Sequence, residues 1–179
     1  MVRNWQQHFI KIAVDVASMG TCARRNVGCV LVDDRNFILS TGMNGVPPKW
    51  PHCKSFDSDP GFPCLGSNSP PGTDLDRCVA AHAEINALLH CADIRRIRTV
   101  YCTTSPCINC VKALLVTWAV DIVFLQEYPH PEARELWVRH SRDLWPASPR
   151  RWIHVIDLER MLLRTWSSSV STDIPDVVG

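Results

Sequence analysis

A pair of short motifs restricts the fold and chemistry of this chain more than any other feature. His82-Ala83-Glu84 is followed downstream by Pro106-Cys107-Ile108-Asn109-Cys110. One histidine and two cysteines can supply three ligands to a tetrahedral Zn²⁺ and leave the fourth position for water. Bound Zn²⁺ lowers the pKa of that water from 15.7 to roughly 7. The spacing therefore predicts a catalytic zinc at His82, Cys107 and Cys110, with Glu84 carrying protons.

The first motif lies in a predicted helix. Apolar residues at helical spacing predict a largely buried helix over 79–91, with His82 and Glu84 in its first turns. The alternative is a satisfied buried histidine, with the cysteines forming a structural zinc knuckle or a redox pair. His-x-Glu on a helix upstream of the cysteines favours the catalytic metal.

The second motif predicts the start of another helix, over 107–118. Pro106 suits a first helical turn, and Ser105 is a candidate N-cap. Cys107 and Cys110 are three residues apart, so they share one helical face and can close on one metal. The positive end of the helix dipole also favours thiolate over thiol at this position.

The composition is that of an ordinary globular protein. The chain has 179 residues, of which 46% are hydrophobic and 21% charged; we expect one domain over 1–166 and a flexible tail over 167–179. No apolar run reaches the ~20 residues that span a bilayer, and residues 1–8 contain no apolar signal segment. Nine cysteines in such a chain favour reduced thiols, metal binding and a cytoplasmic location. A net charge of +1 argues for a small-molecule substrate and against a nucleic-acid partner.

Predicted strands and helices alternate along the chain. Helices are predicted, besides those above, over 4–19, 131–140 and 157–166, and strands over 27–32, 37–41, 99–103, 121–126 and 152–156. This order predicts a three-layer α/β/α fold with a mixed five-stranded sheet. Residues 43–77 contain seven of the 13 prolines, and a loop of this length is usually functional or held by something extra.

Several stretches resemble the deoxycytidylate (dCMP) deaminases of the cytidine deaminase-like superfamily. His-x-Glu ahead of Pro-Cys-x-x-Cys is the signature of zinc nucleobase deaminases. The stretch 24–32 resembles the family's first strand, and 42–47 with Pro51-His52-Cys53 resembles its Gly-Tyr-Asn-Gly loop. His82-Ala-Glu-Ile-Asn-Ala-Leu resembles its zinc helix, within a match that covers roughly 5–145. The resemblance implies a cytidine deaminase-like fold and the hydrolysis of dCMP to dUMP and ammonia.

The resemblance also implies roles for substrate-binding residues. Asn44 would bond the sugar hydroxyl, although a loop asparagine in a left-handed conformation is the alternative. The Ala83 N–H would donate to the base carbonyl, and the Ser105 carbonyl would accept from the exocyclic amine. Tyr128 would line the base or phosphate pocket, or would simply pack at the end of a strand.

Phosphate groups require cations or backbone N–H groups. Arg24, Arg25 and Lys49 are the cations nearest to the matched loops. Adjacent residues in an extended segment point to opposite sides, which favours Arg25 for the substrate phosphate and Arg24 for a neighbouring site.

Many family members are activated by dCTP and inhibited by dTTP, with Mg²⁺ accompanying the triphosphate. The resemblance implies an effector site at Arg24, Gly42, Met43, Asn44, Gly45 and Lys49. Met43 stands where the family has Tyr, which removes a ring and a hydroxyl. The change either weakens the effector site or marks a dual dCMP/dCTP deaminase, and the sequence leaves both open.

Other cysteines suggest a second metal. Relatives of this branch bind a structural zinc at places that match Cys22, Cys53 and Cys78. Cys64, or less favourably His52, would complete a closed four-ligand site that orders the 43–77 loop. The alternative is a set of thiols without a metal.

The sequence leaves open two rival functions and the oligomeric state. One rival function is a different cytosine, guanine or tRNA deaminase, and another is a catalytically inactive zinc-binding regulatory subunit; Glu84 argues against the second. The family's habit implies a homo-oligomer, often a hexamer. Its contact surfaces are expected at helix 131–140, with Leu136 and Trp137, and at 145–166, unless these residues belong to the core.

Overall fold

The structure is a computed structural model that describes residues 4–53, 66, 78–144 and 149–155, with 141–144 described by backbone alone. The elements in chain order are helix α1 (Trp5–Ser18), strands β1 (Gly28–Val32) and β2 (Ile38–Met43), helix α2 (Ala83–Leu89), a 3-10 turn (Ile94–Arg96), strand β3 (Thr99–Thr104), helix α3 (Ile108–Leu115), strand β4 (Asp121–Gln126), helix α4 (Pro131–Leu144) and strand β5 (Arg151–His154). No described helix has the length and apolar character needed to cross a bilayer.

The five strands form one mixed sheet in the order β2-β1-β3-β4-β5. Strand β1 runs antiparallel to both β2 and β3, while β3, β4 and β5 are parallel. This arrangement confirms the predicted fold class. Parallel β3 and β4 place their carboxyl ends at one edge of the sheet, where active sites of α/β folds usually lie.

Strand β1 is buried along its whole length because helices cover both faces of the sheet. On one face, Val30 and Val32 pack with Phe9, Ile10 and Ala13 of α1. On the opposite face, the alternate strand residues pack with α2, α3 and α4 in a second cluster. Its members include Cys29, Leu31, Cys102, Ala83, Ala87, Val111, Leu114, Ala133 and Trp137. The period of two along each strand thus divides the core into two layers.

Helix α2 begins four residues later than predicted. Ala81 pairs with Gly45 through two backbone hydrogen bonds (Gly45 N–H to Ala81 O 3.2 Å, Ala81 N–H to Gly45 O 2.9 Å), so the chain before α2 is extended. His82 has φ −71° and ψ 154° and is the N-cap of α2 rather than part of its first turn. The predicted helix over 79–91 was therefore too long at its start.

Helix α3 is likewise shorter than the predicted 107–118. Its N-cap is Cys107, not Ser105, whose backbone N–H instead bonds to Gln126 O at 2.8 Å. Thr117 accepts from the Ala119 N–H at 3.1 Å and donates to Leu114 O at 2.7 Å, which closes the end of the helix. Strand β3 runs one residue beyond its predicted end, β2 lies over 38–43 instead of 37–41, and β5 lies over 151–154 instead of 152–156.

Trp137 belongs to the core and not to a contact surface. It is fully buried, its Nε1 donates to Arg151 O at 3.1 Å, and the Arg150 guanidinium lies 4.4 Å from its ring centre. The core alternative for this tryptophan is therefore correct. The predicted helix over 157–166, the tail over 167–179 and most of the 43–77 loop lie outside the described residues.

Candidate active site

The first residues of α2 and α3 meet beside the carboxyl end of β3. His82 is the N-cap of α2, Cys107 is the N-cap of α3, and Cys110 lies on the first turn of α3. The Nδ1 atom of His82 lies 3.4 Å from Sγ of Cys107 and 3.3 Å from Sγ of Cys110. The three candidate ligand atoms all lie within 4.8 Å of one another.

These distances suit a tetrahedral zinc. Bonds of about 2.3 Å to sulfur and 2.0–2.1 Å to nitrogen place such ligand atoms about 3.5 Å apart. Neither His82 nor Cys107 uses its side chain to cap its own helix, so both side chains are available to the metal. The donor set and geometry therefore fit Zn²⁺, as the sequence predicted.

The two thiols are not equivalent in the metal-free cluster. A hydrogen bond from Cys110, together with one from His82, lowers the pKa of Cys107 to about 4 despite burial. The same bond raises the pKa of Cys110, and burial adds to the effect. The pKa of His82 is raised mainly by its bond to Cys107. These shifts favour the thiolate form of Cys107, and a cation bound here would displace the protons that remain on the other two ligands.

Glu84 lies on the first turn of α2, two residues after His82, and is only 4% exposed. Burial is the main reason that its pKa is raised above the usual value of a glutamate. A carboxyl group with a raised pKa can both accept and return a proton close to neutrality. The carboxyl group of Glu84 is not one of the three clustered ligand atoms, and Glu84 lines the cavity beside them.

A cavity of about 320 Å³ opens beside this cluster. Its lining includes all five substrate-binding residues that the sequence predicted: Arg25, Asn44, Ala83, Ser105 and Tyr128. Thr104, Val27 and Ala80 also line it and were missed. The position of Thr104 directly before Ser105 was the available signal, because the carboxyl end of β3 was already expected to face the site.

Asn44 shapes the cavity wall through two hydrogen bonds. Its Oδ1 accepts from the Val27 N–H at 2.7 Å, and its Nδ2 donates to Arg25 O at 2.6 Å. The left-handed alternative is wrong, because the described non-glycine residues with positive φ are Asn36 and Lys49. Asn44 therefore fixes the backbone of residues 25–27, which includes Arg25.

Arg24 and Arg25 both line the same cavity. The expectation that they point to opposite sides assumed an extended segment, whereas residues 23–24 form a bend. The Arg25 guanidinium lies 5.8 Å from the centre of the Tyr128 ring. The Tyr128 N–H donates to Ser105 Oγ at 2.8 Å, which links this wall to the turn before Cys107. Two cations therefore face the cavity.

The second predicted metal site is less defined. Cys22 and Cys78 line the same cavity, Cys53 is partly buried, and Cys64 lies outside the described residues. Within the described parts of the chain, three or more candidate ligands come within 4.8 Å of one another only at His82, Cys107 and Cys110. The second zinc thus stays a prediction.

The predicted effector residues do not form one surface with the cavity. Of the six, Arg24 and Asn44 line it, whereas Gly42, Met43, Gly45 and Lys49 are not among its lining residues. Gly42 is buried against α2: a Cβ atom there would lie 2.2 Å from Ala83 O. Gly42 is therefore occupied by helix packing and offers no surface to a ligand.

A mixed sheet with helices on both faces, a His-Cys-Cys cluster and a buried glutamate beside it are together typical of the zinc nucleobase deaminase fold. The family model described as "Cytidine and deoxycytidylate deaminase zinc-binding region" matches residues 3–126. The chain belongs to this family.

Curated relatives agree with this assignment. Deoxycytidylate deaminase of Saccharomyces cerevisiae is 34% identical over 127 residues, which cover 70% of this chain and 38% of the yeast protein. Deoxycytidylate deaminase of Mycobacterium phage D29 is 34% identical over 130 residues, covering 69% of this chain and 96% of the phage protein. The matched region thus spans under half of the yeast enzyme but nearly all of the phage enzyme.

Solved structures show the same fold. The dCMP deaminase of cyanophage S-TIM5, crystallised with dCMP and dUMP, gives a TM-score of 0.57 at 20% identity, covering 87% of this chain and 99% of that one. RibD of Acinetobacter baumannii gives a TM-score of 0.53 at 20% identity, covering 94% of this chain and 40% of that one. Both confirm a cytidine deaminase-like architecture.

Proposed function

We propose that this chain catalyses the hydrolytic deamination of dCMP to dUMP with release of ammonia. The observation that supports the proposal most directly is the position of Glu84, buried beside the His-Cys-Cys cluster in a cavity that two arginines also line. Relatives named deoxycytidylate deaminase, among them a phage protein matched over 96% of its length, support the same substrate.

The chemistry follows from the residues at the site. When bound at His82, Cys107 and Cys110, Zn²⁺ lowers the pKa of a bound water to roughly 7. Glu84 takes one proton from the attacking water and delivers it to the ring nitrogen; it then carries the second proton, from the new hydroxyl on C4, to the departing amine, as that hydroxyl becomes the carbonyl of the product. The new bond joins the water oxygen to C4 of the base, and the bond from C4 to the exocyclic nitrogen breaks. The products are dUMP and ammonia.

Backbone groups would orient the base. Ala83 is the first residue of α2, and the first N–H groups of a helix have no partner within it. The Ala83 N–H can therefore donate to the base carbonyl. The Ser105 carbonyl would accept from the exocyclic amine, and Asn44 would contact the sugar hydroxyl from the cavity wall.

Arg25 would bind the 5′-phosphate. Its position over the Tyr128 ring and the fixing of its carbonyl by Asn44 both limit its freedom. Because Arg24 lines the same cavity, a longer phosphate chain could also be bound, which favours dCTP as a second substrate. The dual dCMP/dCTP function is therefore our second candidate.

We further propose regulation by dCTP as activator and dTTP as inhibitor, with Mg²⁺ bound to the triphosphate. Arg24, Asn44, Met43, Gly45 and Lys49 remain the candidate residues. Gly42 would act only through its packing on α2. Addition of either nucleotide with Mg²⁺ to the dCMP assay tests this directly: unchanged rates would contradict it.

We propose two assembly features on the strength of the family resemblance. One is a homo-oligomer, a hexamer by the family's habit, which sedimentation analysis would measure. The other is a structural zinc at Cys22, Cys53, Cys64 and Cys78, which predicts two zinc equivalents per chain. Thiol ligands of this kind favour a reducing compartment such as the cytoplasm.

The deciding experiment is ammonia release from dCMP, dCTP, deoxycytidine and CMP by zinc-loaded protein. We expect dCMP to be turned over and deoxycytidine to be a poor substrate. Comparable turnover of dCTP would establish the dual enzyme. Equal turnover of deoxycytidine and dCMP would contradict phosphate recognition. No turnover of any cytosine nucleotide would contradict the proposal and favour a regulatory zinc protein.

A further inference from the structure

Strand β2 approaches helix α2 more closely than a side chain would allow. A Cβ atom on Gly42 would lie 2.2 Å from Ala83 O and 2.3 Å from Ala87 N. Gly42 has no positive φ, so the glycine is required by space and not by backbone conformation. The backbone of β2 therefore rests directly on the backbone of the helix that carries Glu84.

Polar contacts hold the two elements together on both sides of Gly42. The Ser40 hydroxyl donates to Ala87 O at 2.6 Å, and Asn86 Nδ2 donates to Met43 O at 2.7 Å. Beyond the end of β2, the backbone of Gly45 exchanges two hydrogen bonds with that of Ala81. The strand thus bonds to the last turns of α2 and to the segment just before it.

These contacts bracket the reactive part of α2. His82 and Glu84 lie between Ala81, which Gly45 holds, and Asn86, which bonds to Met43 O. Helix α2 is only seven residues long, and its fully buried core side chains are the small Ala83 and Ala87. A shift of the helix along β2 would move the metal ligand and the proton carrier together, relative to Cys107 and Cys110 on α3.

We propose that Ser40, Gly42 and Asn86 are positioning residues for the deamination: they fix α2 against β2 and thereby fix Glu84 and His82 relative to the two cysteines. None of the three is among the residues that line the cavity, so they act through α2 and not on the substrate. The catalytic part of this inference rests on the proposed function.

The most selective test replaces Asn86 by aspartate. Asn86→Asp preserves the shape of the side chain but removes its N–H donor and places an oxygen opposite Met43 O. We expect kcat for dCMP to fall about tenfold, the rate equivalent of one lost hydrogen bond, while KM stays within twofold of the wild type.

Asn4→Asp is the matched control. Among the described residues, the Asn4 side chain accepts from the Gln7 N–H at 3.1 Å, and an aspartate can accept in the same way. The two substitutions change charge and shape equally, but only Asn86→Asp affects α2. Equal kcat values for the two variants would overturn the proposal.

The glycines provide a second matched pair. Gly28 and Gly42 lie on paired strands, and a Cβ on Gly28 would meet Ala13 O of α1 at 2.0 Å, as one on Gly42 would meet α2. Both alanine variants should therefore lower Tm. Only Gly42→Ala should also lower kcat, on the order of 10²-fold, which is the cost expected for a displacement of about 1 Å at a reacting group.

Ser40→Ala covers the case in which Gly42→Ala fails to fold, with Thr41→Ala as its control. Thr41 is the adjacent hydroxyl residue on β2 but is exposed, whereas Ser40 bonds to Ala87 O. We expect Ser40→Ala to lower kcat and Thr41→Ala to leave it unchanged.

A readout independent of turnover separates this inference from the proposed function. Because His82 is the N-cap of α2, loosening the helix should speed the release of zinc to a chelator in Asn86→Asp and Ser40→Ala but not in Asn4→Asp or Thr41→Ala. If the wild type does not deaminate dCMP but Asn86→Asp and Ser40→Ala release zinc faster than it does, the positioning is upheld and the assignment of dCMP as substrate is wrong. Unchanged release and unchanged kcat in an active enzyme would overturn the positioning alone.

Discussion

The Nδ1 atom of His82 lies 3.3 Å from Sγ of Cys110, although the two residues are 28 positions apart in the sequence. The two residues belong to different helices, α2 and α3, whose first residues meet at one edge of the sheet. Their approach therefore depends on the packing of two elements and not on local sequence. A metal bound here would join the two helices and should stabilise the fold as well as the reaction.

Loss of one ligand sulfur should remove the catalytic zinc. For Cys110→Ser we expect at least about 100-fold weaker zinc binding, since the loss of even an outer-shell partner costs 10–100-fold. Zinc content, measured by metal analysis after dialysis, should fall by one equivalent per chain. Cys91→Ser is the control, because Cys91 lies outside the cluster. Full zinc content in Cys110→Ser would show that this sulfur is not a ligand.

Removal of the Glu84 carboxylate should abolish turnover without removing the metal. Glu84→Gln retains the size of the side chain but cannot take up the water proton, so we expect kcat to fall on the order of 10²–10⁴-fold. Zinc content should stay at the wild-type value. Glu135→Gln, at an exposed position of α4, should retain full activity. Unchanged turnover in Glu84→Gln would contradict the mechanism.

The candidate metal cluster could be predicted from the sequence because two short motifs contain all of its residues. His-x-Glu and Cys-x-x-Cys each span only the N-cap and first turn of one helix, and a three-ligand zinc site requires little more. Strands β1 and β4 were predictable for a similar reason, since buried strands read as compact apolar runs. Strand β4 has the predicted bounds, 121–126.

The errors concern residues whose conformation depends on distant partners. The start of α2 was misplaced because Ala81 pairs with Gly45, a contact between segments far apart in sequence. Arg24 and Arg25 were assigned to opposite sides because a bend replaces the extended segment that the alternation rule assumes. The two hydrogen bonds that the Asn44 side chain makes to the backbones of Val27 and Arg25 could not be inferred from its position in a loop motif.

Neutralising Arg25 should impair dCMP more than deoxycytidine. A charge-assisted hydrogen bond contributes about 1.5–3 kcal/mol, so Arg25→Gln should lower kcat/KM for dCMP by about 10- to 100-fold. The value for deoxycytidine, which has no phosphate, should change little. Arg35→Gln, at an exposed turn, is the control. An equal loss for both substrates would mean that Arg25 supports the cavity and does not bind the phosphate.

Asp33 should make the stability of the hairpin between β1 and β2 depend on pH. Its Oδ1 accepts from the N–H groups of Arg35 at 3.0 Å and Phe37 at 2.9 Å, and its Oδ2 accepts from Arg96 at 2.8 Å. Burial would raise the pKa of Asp33, but the bonds from Phe37, Arg96 and Arg35 together lower it.

A carboxylate whose pKa is lower in the folded state stabilises the fold above its unfolded pKa of about 3.9. That stability is lost as the pH falls through the lower, folded value. Asp33→Asn should therefore reduce Tm at pH 7 and flatten the decline of Tm between pH 5 and pH 2. Asp34→Asn, at an exposed position of the same turn, should reproduce the wild-type curve. If the Tm of Asp33→Asn declines between pH 5 and pH 2 as steeply as that of the wild type, other carboxylates control the stability of the fold in acid.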